Sequence, residues 1–221
     1  MAGSSRGLFL VFEGLDRSGK STQSERLFQH LKSAGVAAKK MAFPNRETTI
    51  GGLINSYLQS QSELSDEAIH LLFSANRWET SIALEKDLAA GTTIVCDRYA
   101  FSGVAYTAAK GRKPLSWCKA PDVGLPQPDR VFYLDVDPET AKKRADFGGE
   151  RYEKQEFQRQ VGAQFAAFSK EPFWHKLDAS TNKDDLSTEI QGNVEEMLSD
   201  TEIRSAPVKK LWTNLQGVAE N

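Results

Sequence analysis

The segment from Gly14 to Ser21 constrains the fold of this chain more than any other part of its sequence. It reads Gly-Leu-Asp-Arg-Ser-Gly-Lys-Ser, fits the pattern G-x-x-x-x-G-K-[ST], and lies between an apolar run, Leu8–Phe12, and a helix-forming stretch. Glycines allow the backbone to curl closely around a phosphate group, with several N–H groups pointing inward. A strand, this loop and a helix, in that order, predict a phosphate-binding loop.

The residue types within the loop indicate a bound nucleotide and a metal ion. Lys20 is placed to reach the β- and γ-phosphates, and the Ser21 hydroxyl is placed to ligate Mg²⁺, a hard cation that binds partly through substrate phosphates. Water, a sugar hydroxyl, a nucleotide or a protein could each accept the phosphoryl group, because proteins with this loop use several acceptors. The loop residues expected to contact ATP are Gly14, Arg17, Ser18, Gly19, Lys20, Ser21 and Thr22.

Strand-like runs alternate with helical patterns along the chain, which predicts an α/β fold with a five-stranded parallel sheet and helices on both faces. Ligands of such sheets bind outside the carboxyl ends of the strands, so Gly14, Phe43, Asp97 and Asp135 are expected at one edge. The predicted strands are Leu8–Phe12, Val36–Phe43, Thr92–Cys96, Val131–Leu134 and Trp174–Ala179. The predicted helices are Ser21–Ala34, Ile50–Leu58, Ser65–Ala90, one from about Pro138, Phe157–Phe168 and Leu186–Leu198.

Length and composition predict one globular domain spanning residues 1–221, since 221 residues are enough for one substantial core. The formal net charge of −2 shows no basic excess, which argues against nucleic acid or a membrane surface as a partner. Two cysteines are too few for a disulfide framework or a zinc site. The polar first residues do not resemble a signal peptide, so a reducing intracellular compartment is expected.

Arginines lie next to aromatic residues at several points after the loop. Arg46 follows Phe43-Pro44, and Arg98 follows the strand that ends at Cys96. Phe73 and Arg77 are four residues apart and so share a helix face, where they offer a stacking surface and a planar donor for a nucleobase. Arg17, inside the loop itself, can neutralise charge that spreads over a transferring phosphoryl group. These positions favour a nucleotide as the acceptor.

Several longer motifs occur in a fixed order. The chain carries Phe-Glu-Gly-Leu-Asp-Arg-Ser-Gly-Lys-Ser-Thr from Phe12, Leu-Leu-Phe-Ser-Ala-Asn-Arg-Trp from Leu71, and Asp-Arg-Tyr-Ala-Phe-Ser-Gly-Val-Ala-Tyr from Asp97. Pro-Asp-Val-Gly-Leu-Pro and Phe-Gly-Gly-Glu-Arg-Tyr-Glu follow further along. Together these motifs resemble thymidylate kinases of the eukaryotic type over roughly residues 7–200. One departure is Asn45, where the family usually has Glu in Phe-Pro-x-Arg.

The resemblance implies a P-loop kinase fold with a mobile lid, here at about residues 143–154. It also implies transfer of the γ-phosphoryl group of ATP to dTMP, giving dTDP and ADP, with Mg²⁺ as cofactor, in the synthesis of dTTP. Members of the family are usually homodimers in the cytoplasm or nucleus. The implied partners are therefore dTMP, ATP and a second copy of the chain, with no nucleic acid and no membrane.

The resemblance also assigns roles to individual residues. Asp16 is similar to the carboxylate that binds the sugar 3′-hydroxyl, and Asp97 to the acidic residue that contacts Mg²⁺ through water. The implied catalytic residues are Asp16, Arg17, Lys20 and Arg98. The implied dTMP contacts are Asp16, Phe43, Arg46, Phe73, Arg77, Arg98, Ser102, Gly103, Tyr106, Tyr152 and Gln158, with Phe73 as the stacking partner and Arg77 as the donor to a thymine carbonyl. Arg144 and Ser180 correspond to the adenine side.

Two other functions remain open at this point, and one further pattern is coincidental. A deoxynucleoside kinase needs a general base, and Glu13 at the end of the first strand could serve. A nucleotide-binding switch or scaffold without useful turnover is a second alternative. Asn182-Lys183-Asp184-Asp185 fits the Asn-Lys-x-Asp pattern of small GTPases, but no Asp-x-x-Gly follows the strand that ends at Cys96, where a switch is expected.

Overall fold

A computed structural model describes residues 5–142 and 149–214 of the chain. Its sheet has five parallel strands in the order β2-β3-β1-β4-β5. This confirms the predicted parallel α/β architecture. The strands are β1 (Phe9–Gly14), β2 (Ala38–Ala42), β3 (Thr93–Asp97), β4 (Arg130–Asp135) and β5 (Trp174–Asp178).

The helices of the described residues flank the sheet, and none of these helices is long and apolar enough to span a membrane. Short 3₁₀ turns at Ala120–Asp122 and Ala166–Phe168 complete the pattern. The helices are α1 (Lys20–Ser33), α2 (Thr49–Leu58), α3 (Asp66–Ala89), α4 (Ala100–Ala108), α5 (Leu115–Lys119), α6 (Pro138–Lys142), α7 (Gln155–Phe165), α8 (Lys183–Ser199) and α9 (Thr201–Ser205).

Helix α4 was not expected from the sequence. Seven of its nine residues are buried, including Phe101 and Val104, so the segment lacks the alternation of apolar and polar residues that marks a surface helix. It packs against α3, α5, α7 and β1. The segment that carries Ser102, Gly103 and Tyr106 is thus held on a rigid buried element.

Two apolar cores hold the sheet between layers of helices. Phe9 and Val11 of β1 belong to one core, with residues of α3, α4 and α7, while Leu10 and Phe12 belong to the other, with residues of α1 and α8. Successive side chains of a strand point to opposite faces, so this short segment contributes to both cores. Burying each such side chain stabilises the fold by about 1.5–3 kcal/mol. The strand positions, and hence their carboxyl ends, are fixed by this packing.

The adjacent strands β1 and β3 mark the place where ligands bind in a sheet of this kind. The chain leaves β1 through α1 towards β2, but it leaves β3 in the other direction, across β1 to β4. Ligands of open α/β sheets bind at such a reversal. Gly14 ends β1 and Asp97 ends β3, so the phosphate loop and the Asp97-Arg98 segment meet there.

Candidate active site

The backbone of the phosphate loop adopts the curled form that its glycines allow. Gly14 has φ 146°, Arg17 has φ 65° and Gly19 has φ 101°. A Cβ on Gly14 would lie 2.7 Å from both the Leu134 carbonyl oxygen and Ser18 Oγ, so a side chain there has no space. Helix α1 begins directly after Gly19, and the N–H groups of its first turn have no intrahelical partner. The loop and the helix N-terminus therefore form an anion-binding site.

Lys20 lies inside this loop with its side chain almost wholly buried. Its Nζ donates hydrogen bonds to the Leu15 carbonyl oxygen at 2.5 Å and to Ser18 Oγ at 3.3 Å. Burial, with a smaller contribution from the nearby Arg98 cation, lowers the pKa of Lys20 to about 8. A bound phosphate would give this ammonium group the strong counterion that the loop itself lacks.

Ser21 and Asp97 form the part of the site that could hold a metal ion. Ser21 Oγ donates a hydrogen bond to Asp97 Oδ2 at 2.5 Å, and Asp97 Oδ1 is buried without a hydrogen-bond partner among the described residues. A hydroxyl and a carboxylate are the oxygen donors that Mg²⁺ prefers. Within residues 5–142 and 149–214, no cluster of three or more His, Cys, Asp or Glu forms a complete metal site. The pair therefore fits a Mg²⁺ ion that takes its other ligands from phosphates and water.

A cleft of about 580 Å³ opens in front of the phosphate loop, and we refer to it as the loop cleft. It is bounded by the loop, by the segment after β2 and by the end of β3. Four cationic side chains from three segments of the chain converge on it, which suits a polyanionic ligand. Its lining includes Asp16, Arg17, Lys20, Ser21, Thr22, Phe43, Arg46, Asp97, Arg98 and Glu153.

Arg98 lies at the centre of the site and connects the phosphate loop to α4. Its guanidinium donates to the Asp16 carboxylate and to Ser102 Oγ at 3.2 Å, and it lies 5.5 Å from the centre of the Tyr106 ring. Burial alone would lower the pKa of Arg98, but the opposing charges of Tyr106, Asp16 and Asp97 raise it above its usual value. The guanidinium is therefore a permanent positive charge.

Glu13, which precedes the loop, has both carboxylate oxygens engaged with α4. Oε1 accepts hydrogen bonds from the backbone N–H groups of Tyr99 at 2.8 Å and Ser102 at 3.0 Å, and Oε2 accepts one from Ser102 Oγ at 2.5 Å. Complete burial raises the pKa of Glu13 above its usual value. Glu13 thus joins the start of α4 to β1, and neither of its oxygens is left to act as a base on a substrate hydroxyl.

A smaller cavity of about 90 Å³ adjoins the loop cleft between α3 and α4, and we refer to it as the aromatic pocket. Phe73 and Arg77 of α3 both line it, as their four-residue spacing predicted. Its lining includes Asp16, Phe43, Arg46, Phe73, Arg77, Arg98, Ser102, Gly103, Tyr106, Glu150 and Tyr152. Four of these residues also line the loop cleft, namely Asp16, Phe43, Arg46 and Arg98.

Arg77 is fixed in the aromatic pocket by a buried ion pair. Its Nε and Nη2 donate to the two carboxylate oxygens of Asp122 at 3.1 and 2.7 Å, and Ser74 Oγ donates to the same carboxylate at 2.7 Å. A Cβ on Gly103 would lie 2.8 Å from Arg77 Nη2, so a side chain at residue 103 would displace the guanidinium. Sequence reasoning gave Asp122 no role, although a buried arginine on a helix signals that a buried carboxylate must pair with it.

Gln158 and Tyr152 join α7 to the phosphate loop. Gln158 accepts a hydrogen bond from the Asp16 N–H at 3.0 Å and donates to Asp16 Oδ2 at 2.6 Å and to the Tyr152 carbonyl oxygen at 3.1 Å. The Tyr152 ring lies 5.6 Å from the Tyr106 ring and stacks on Phe157 at 5.3 Å. The amide fixes the Asp16 carboxylate, and the aromatic rings form one wall of the pocket.

Residues 149–154, the described part of the predicted lid, lie against α2 and the cleft arginines. Glu150 accepts a hydrogen bond from Arg46 at 2.8 Å, and Glu153 accepts one from Arg17 at 3.3 Å. Arg151 donates to the Tyr57 carbonyl oxygen at 2.9 Å and pairs with a glutamate just beyond α2. Arg144 and the rest of the predicted lid, residues 143–148, lie outside the described residues.

Three other positions from the sequence analysis have local roles in this structure. Asn45 closes its own turn, because its Oδ1 accepts a hydrogen bond from the Glu47 N–H at 3.1 Å. Ser180 is exposed and donates to Asp178 Oδ1 at 2.6 Å, and it lines neither the loop cleft nor the aromatic pocket. Asn182 caps α8, which explains this residue without guanine recognition.

Asp135 differs from the other strand ends. Instead of joining the loop cleft, it forms an ion pair with Lys176 at 2.6 Å and lines a separate groove beside Leu15 and Arg159. It is the last residue of β4, which lies on the other side of β1 from β3. The residues expected at one edge therefore divide into two groups, and only those next to the reversal form the site.

The strand order, the phosphate loop and the two adjoining cavities define a P-loop nucleotide kinase. A family model described as thymidylate kinase matches residues 12–190. The chain is 46% identical to human thymidylate kinase over 94% of this chain and 98% of the human protein. It is 48% identical to the Plasmodium falciparum enzyme over 84% of this chain and 88% of that protein. A solved thymidylate kinase from Candida albicans aligns with a TM-score of 0.80 at 39% identity, covering 88% of this chain and 94% of that one. The chain belongs to the thymidylate kinase family.

Proposed function

We propose that the loop cleft and the aromatic pocket hold ATP and dTMP end to end, so that the enzyme transfers the γ-phosphoryl group of ATP to dTMP and releases dTDP and ADP. The observation that carries this proposal is the position of Arg98. It lies where the two cavities adjoin, paired with Asp16 of the phosphate loop and within 3.2 Å of Ser102 in the aromatic pocket. A cation there can contact phosphates of both nucleotides.

The acceptor in this reaction requires no general base. A nucleoside monophosphate is already anionic at pH 7, because its second pKa is about 6. The main barrier is repulsion between two anions, which is about 4 kcal/mol for unit charges about 4 Å apart at an effective dielectric of about 20. The cationic side chains around the two cavities offset this repulsion, while the oxygens of Glu13 are engaged elsewhere. This favours a nucleotide over a nucleoside as acceptor.

On the donor side, we assign the triphosphate to the loop N–H groups and Lys20, with Ser21 as a Mg²⁺ ligand and Asp97 beside it. Bound Mg²⁺ would neutralise phosphate charge in this reaction. Arg17 lies between the two nucleotides in this arrangement, next to Glu153. Arg144 and Ser180 remain proposed contacts of the adenine side, by resemblance to the family.

On the acceptor side, we assign the thymine base to the aromatic pocket. Phe73 stacks on the ring and Arg77 donates to a carbonyl, while Tyr106 crowds the 2′ position of the sugar. Arg46 and Arg98 bind the dTMP phosphate and Asp16 binds the 3′-hydroxyl. The remaining members of the set, by resemblance to the family, are Phe43, Ser102, Gly103, Tyr152 and Gln158.

We also propose a homodimer through the outer face of α3. Leu71, Trp78 and Ile82 follow one another at helical spacing and are exposed, with Ile82 70% exposed, and Leu53 of α2 is exposed as well. Apolar residues in such a stripe mark an interaction surface, and a twofold axis lets one stripe cover its copy. Light scattering on the wild type and on an Ile82→Glu variant tests this, with a dimer expected only for the wild type. A cytoplasmic or nuclear location remains a proposal from the family.

ADP release with dTMP, with thymidine and without acceptor tests the proposed reaction, with Lys20→Ala as the inactive control. We expect ADP release to depend on dTMP. With thymidine, the rate of ADP release should equal the rate without any acceptor. Faster release with thymidine would indicate a nucleoside kinase. ATP binding without any acceptor-dependent release would indicate a nucleotide-binding scaffold.

A further inference from the structure

Residues 208–212, which we name the C-terminal strap, return across the molecule to the loop between α5 and β4. Leu211 exchanges backbone hydrogen bonds with this loop, accepting from the Gly124 N–H at 2.9 Å and donating to the Leu125 carbonyl oxygen at 2.8 Å. Lys210 forms an antiparallel bridge with Pro126. The strap therefore pairs with residues 124–126 as a short strand would.

Side chains of the strap anchor it in the apolar core that also holds Phe43, Tyr99 and Tyr106 of the aromatic pocket lining. Leu211 is fully buried with Leu125 in the core that contains Phe101 of α4. The Trp212 ring stacks on Phe168 at 6.2 Å and meets Phe101 edge-on at 5.7 Å. Phe101 directly precedes Ser102 and Gly103, which line the aromatic pocket. The side chains of the strap therefore pack against the residue that directly precedes the wall of the aromatic pocket.

The loop that the strap holds also carries the partner of Arg77. Asp122 lies two residues before Gly124, is fully buried, and accepts two hydrogen bonds from the Arg77 guanidinium. The Pro121 carbonyl oxygen of the same loop accepts hydrogen bonds from Ser74 Oγ at 3.0 Å and Trp78 Nε1 at 2.7 Å. Residues of α3 on both sides of Arg77 are therefore bound to this loop.

We propose that the C-terminal strap is a positioning element of the pyrimidine site: by pairing with residues 124–126 it fixes Asp122, and Asp122 fixes Arg77 against the base. This inference rests on the proposed function, because it takes Arg77 as a group that contacts dTMP. Neither the strap nor residues 124–126 line the loop cleft, so we expect its effect to fall on the acceptor and to spare the donor. A purely stabilising segment would affect both substrates alike.

A pair of truncated chains tests this proposal. One chain ends at Pro207 and lacks the strap, and the matched control ends at residue 214 and keeps it. For the chain lacking the strap we expect KM for dTMP to rise about tenfold, equal to about 1.4 kcal/mol of binding free energy, with KM for ATP changed less than about twofold. KM values for dTMP that match in the two chains, or KM values for both substrates that rise together, would overturn the proposal.

A double-mutant cycle separates positioning from general destabilisation. In an Arg77→Gln background, removing the strap should leave KM for dTMP unchanged, because the group it positions is already gone. A further rise of about tenfold in that background would overturn the proposal.

If the shortened chain does not fold, Trp212→Ala in the full chain replaces it, with an expected rise of about threefold in KM for dTMP and no change for ATP. An unchanged KM for dTMP in that variant would also overturn the proposal. Absence of dTMP-dependent ADP release from the control chain would instead contradict the proposed function itself.

Discussion

The two ends of the proposed acceptor site each carry an arginine, but the protein holds the two side chains in opposite ways. At the base end, Arg77 is 2% exposed and its partner Asp122 is 0% exposed. At the phosphate end, Arg46 is 42% exposed and its partner Glu150 is 30% exposed. Arg77 has a permanent partner inside the core, whereas Arg46 bonds to surface groups that a ligand can replace.

This difference shows how the site combines selectivity with turnover. A buried ion pair strongly resists the loss of either partner, because the remaining charge would be left without compensation. A surface pair contributes about 1 kcal/mol or less, so the phosphate of a substrate can displace Glu150 from Arg46 at little cost. In the proposed complex, a preorganised group therefore contacts the base, while the phosphates meet cations that exchange partners in each cycle.

The largest effects should come from the cations around the phosphates, where the proposed transfer takes place. Lys20→Ala and Arg98→Ala should each lower turnover by about 10³-fold or more, because each removes a cation that compensates the charge of the transferring group. Both proteins should keep the wild-type circular dichroism spectrum. A stable Arg98→Ala protein with full ADP release would remove Arg98 from the site.

The next effect separates the two arginines by stability. Arg77→Gln should lower the free energy of unfolding by about 3 kcal/mol or more, since it leaves Asp122 buried with its charge uncompensated. Arg46→Gln should lower it by about 1 kcal/mol or less, while both variants raise KM for dTMP. Urea unfolding of the two variants measures the difference. Equal losses of stability would contradict the distinction between a fixed and an exchangeable end.

The sequence predicted the phosphate loop well because the loop is local. Gly14 to Ser21 are contiguous, and their glycines, lysine and serine each have a function that residue type and spacing determine. The alternation of apolar runs with helical patterns likewise predicted the sheet and six of its flanking helices. Each strand and helix shows a local pattern of residue types, although the strands pair with partners far away in the chain.

Apart from the shared helix face of Phe73 and Arg77, the aromatic pocket could be predicted only through resemblance to a family, because it is assembled from distant segments. Asp122 reaches Arg77 across 45 residues of chain, and nothing in the local sequence pairs them. Helix α4 is buried on nearly all sides and so shows no periodicity. Asp135 lies on the other side of β1 from the site. This position depends on the strand order, which the alternation of strands and helices does not determine.

The preference for dTMP over dUMP should be an intermediate effect, and it tests how the base end of the proposed site recognises the thymine methyl group. Arg77 can donate to a carbonyl of either dTMP or dUMP, so the two differ by one methyl contact, worth about 1–3 kcal/mol. We expect kcat/KM for dUMP to be lower than for dTMP by about 10- to 200-fold. ADP release with each acceptor measures this ratio. A value for dUMP below about a thousandth of that for dTMP would show that the pocket uses more than this contact.

The smallest effect close to neutral pH is the pH dependence that Lys20 gives to ATP binding. Because burial lowers the pKa of Lys20 to about 8, kcat/KM for ATP should fall about tenfold per pH unit above that value, as the free enzyme loses this charge. The bound phosphates favour the charged form, so kcat should stay level to higher pH. Steady-state rates from about pH 7 to 10 measure both profiles. A parallel fall of kcat would mean that ATP does not act as the counterion of Lys20.

The stability of the protein without ligand should change in the opposite direction. Between pH 8 and the ordinary Lys pKa of 10.5, the unfolded chain binds more protons at this residue than the folded chain. The free energy of unfolding should therefore rise with pH in that range. Urea unfolding at several pH values tests this sign, and Lys20→Met is the control in which the rise should disappear.

The most direct test of the account is a structure of the protein with dTMP and a non-hydrolysable ATP analogue. The account predicts the thymine ring against Phe73 with a carbonyl oxygen within hydrogen-bond distance of Arg77, and Arg98 between the phosphates of the two nucleotides. A thymine ring bound away from Phe73 and Arg77, or phosphates that do not meet near Arg98, would contradict it.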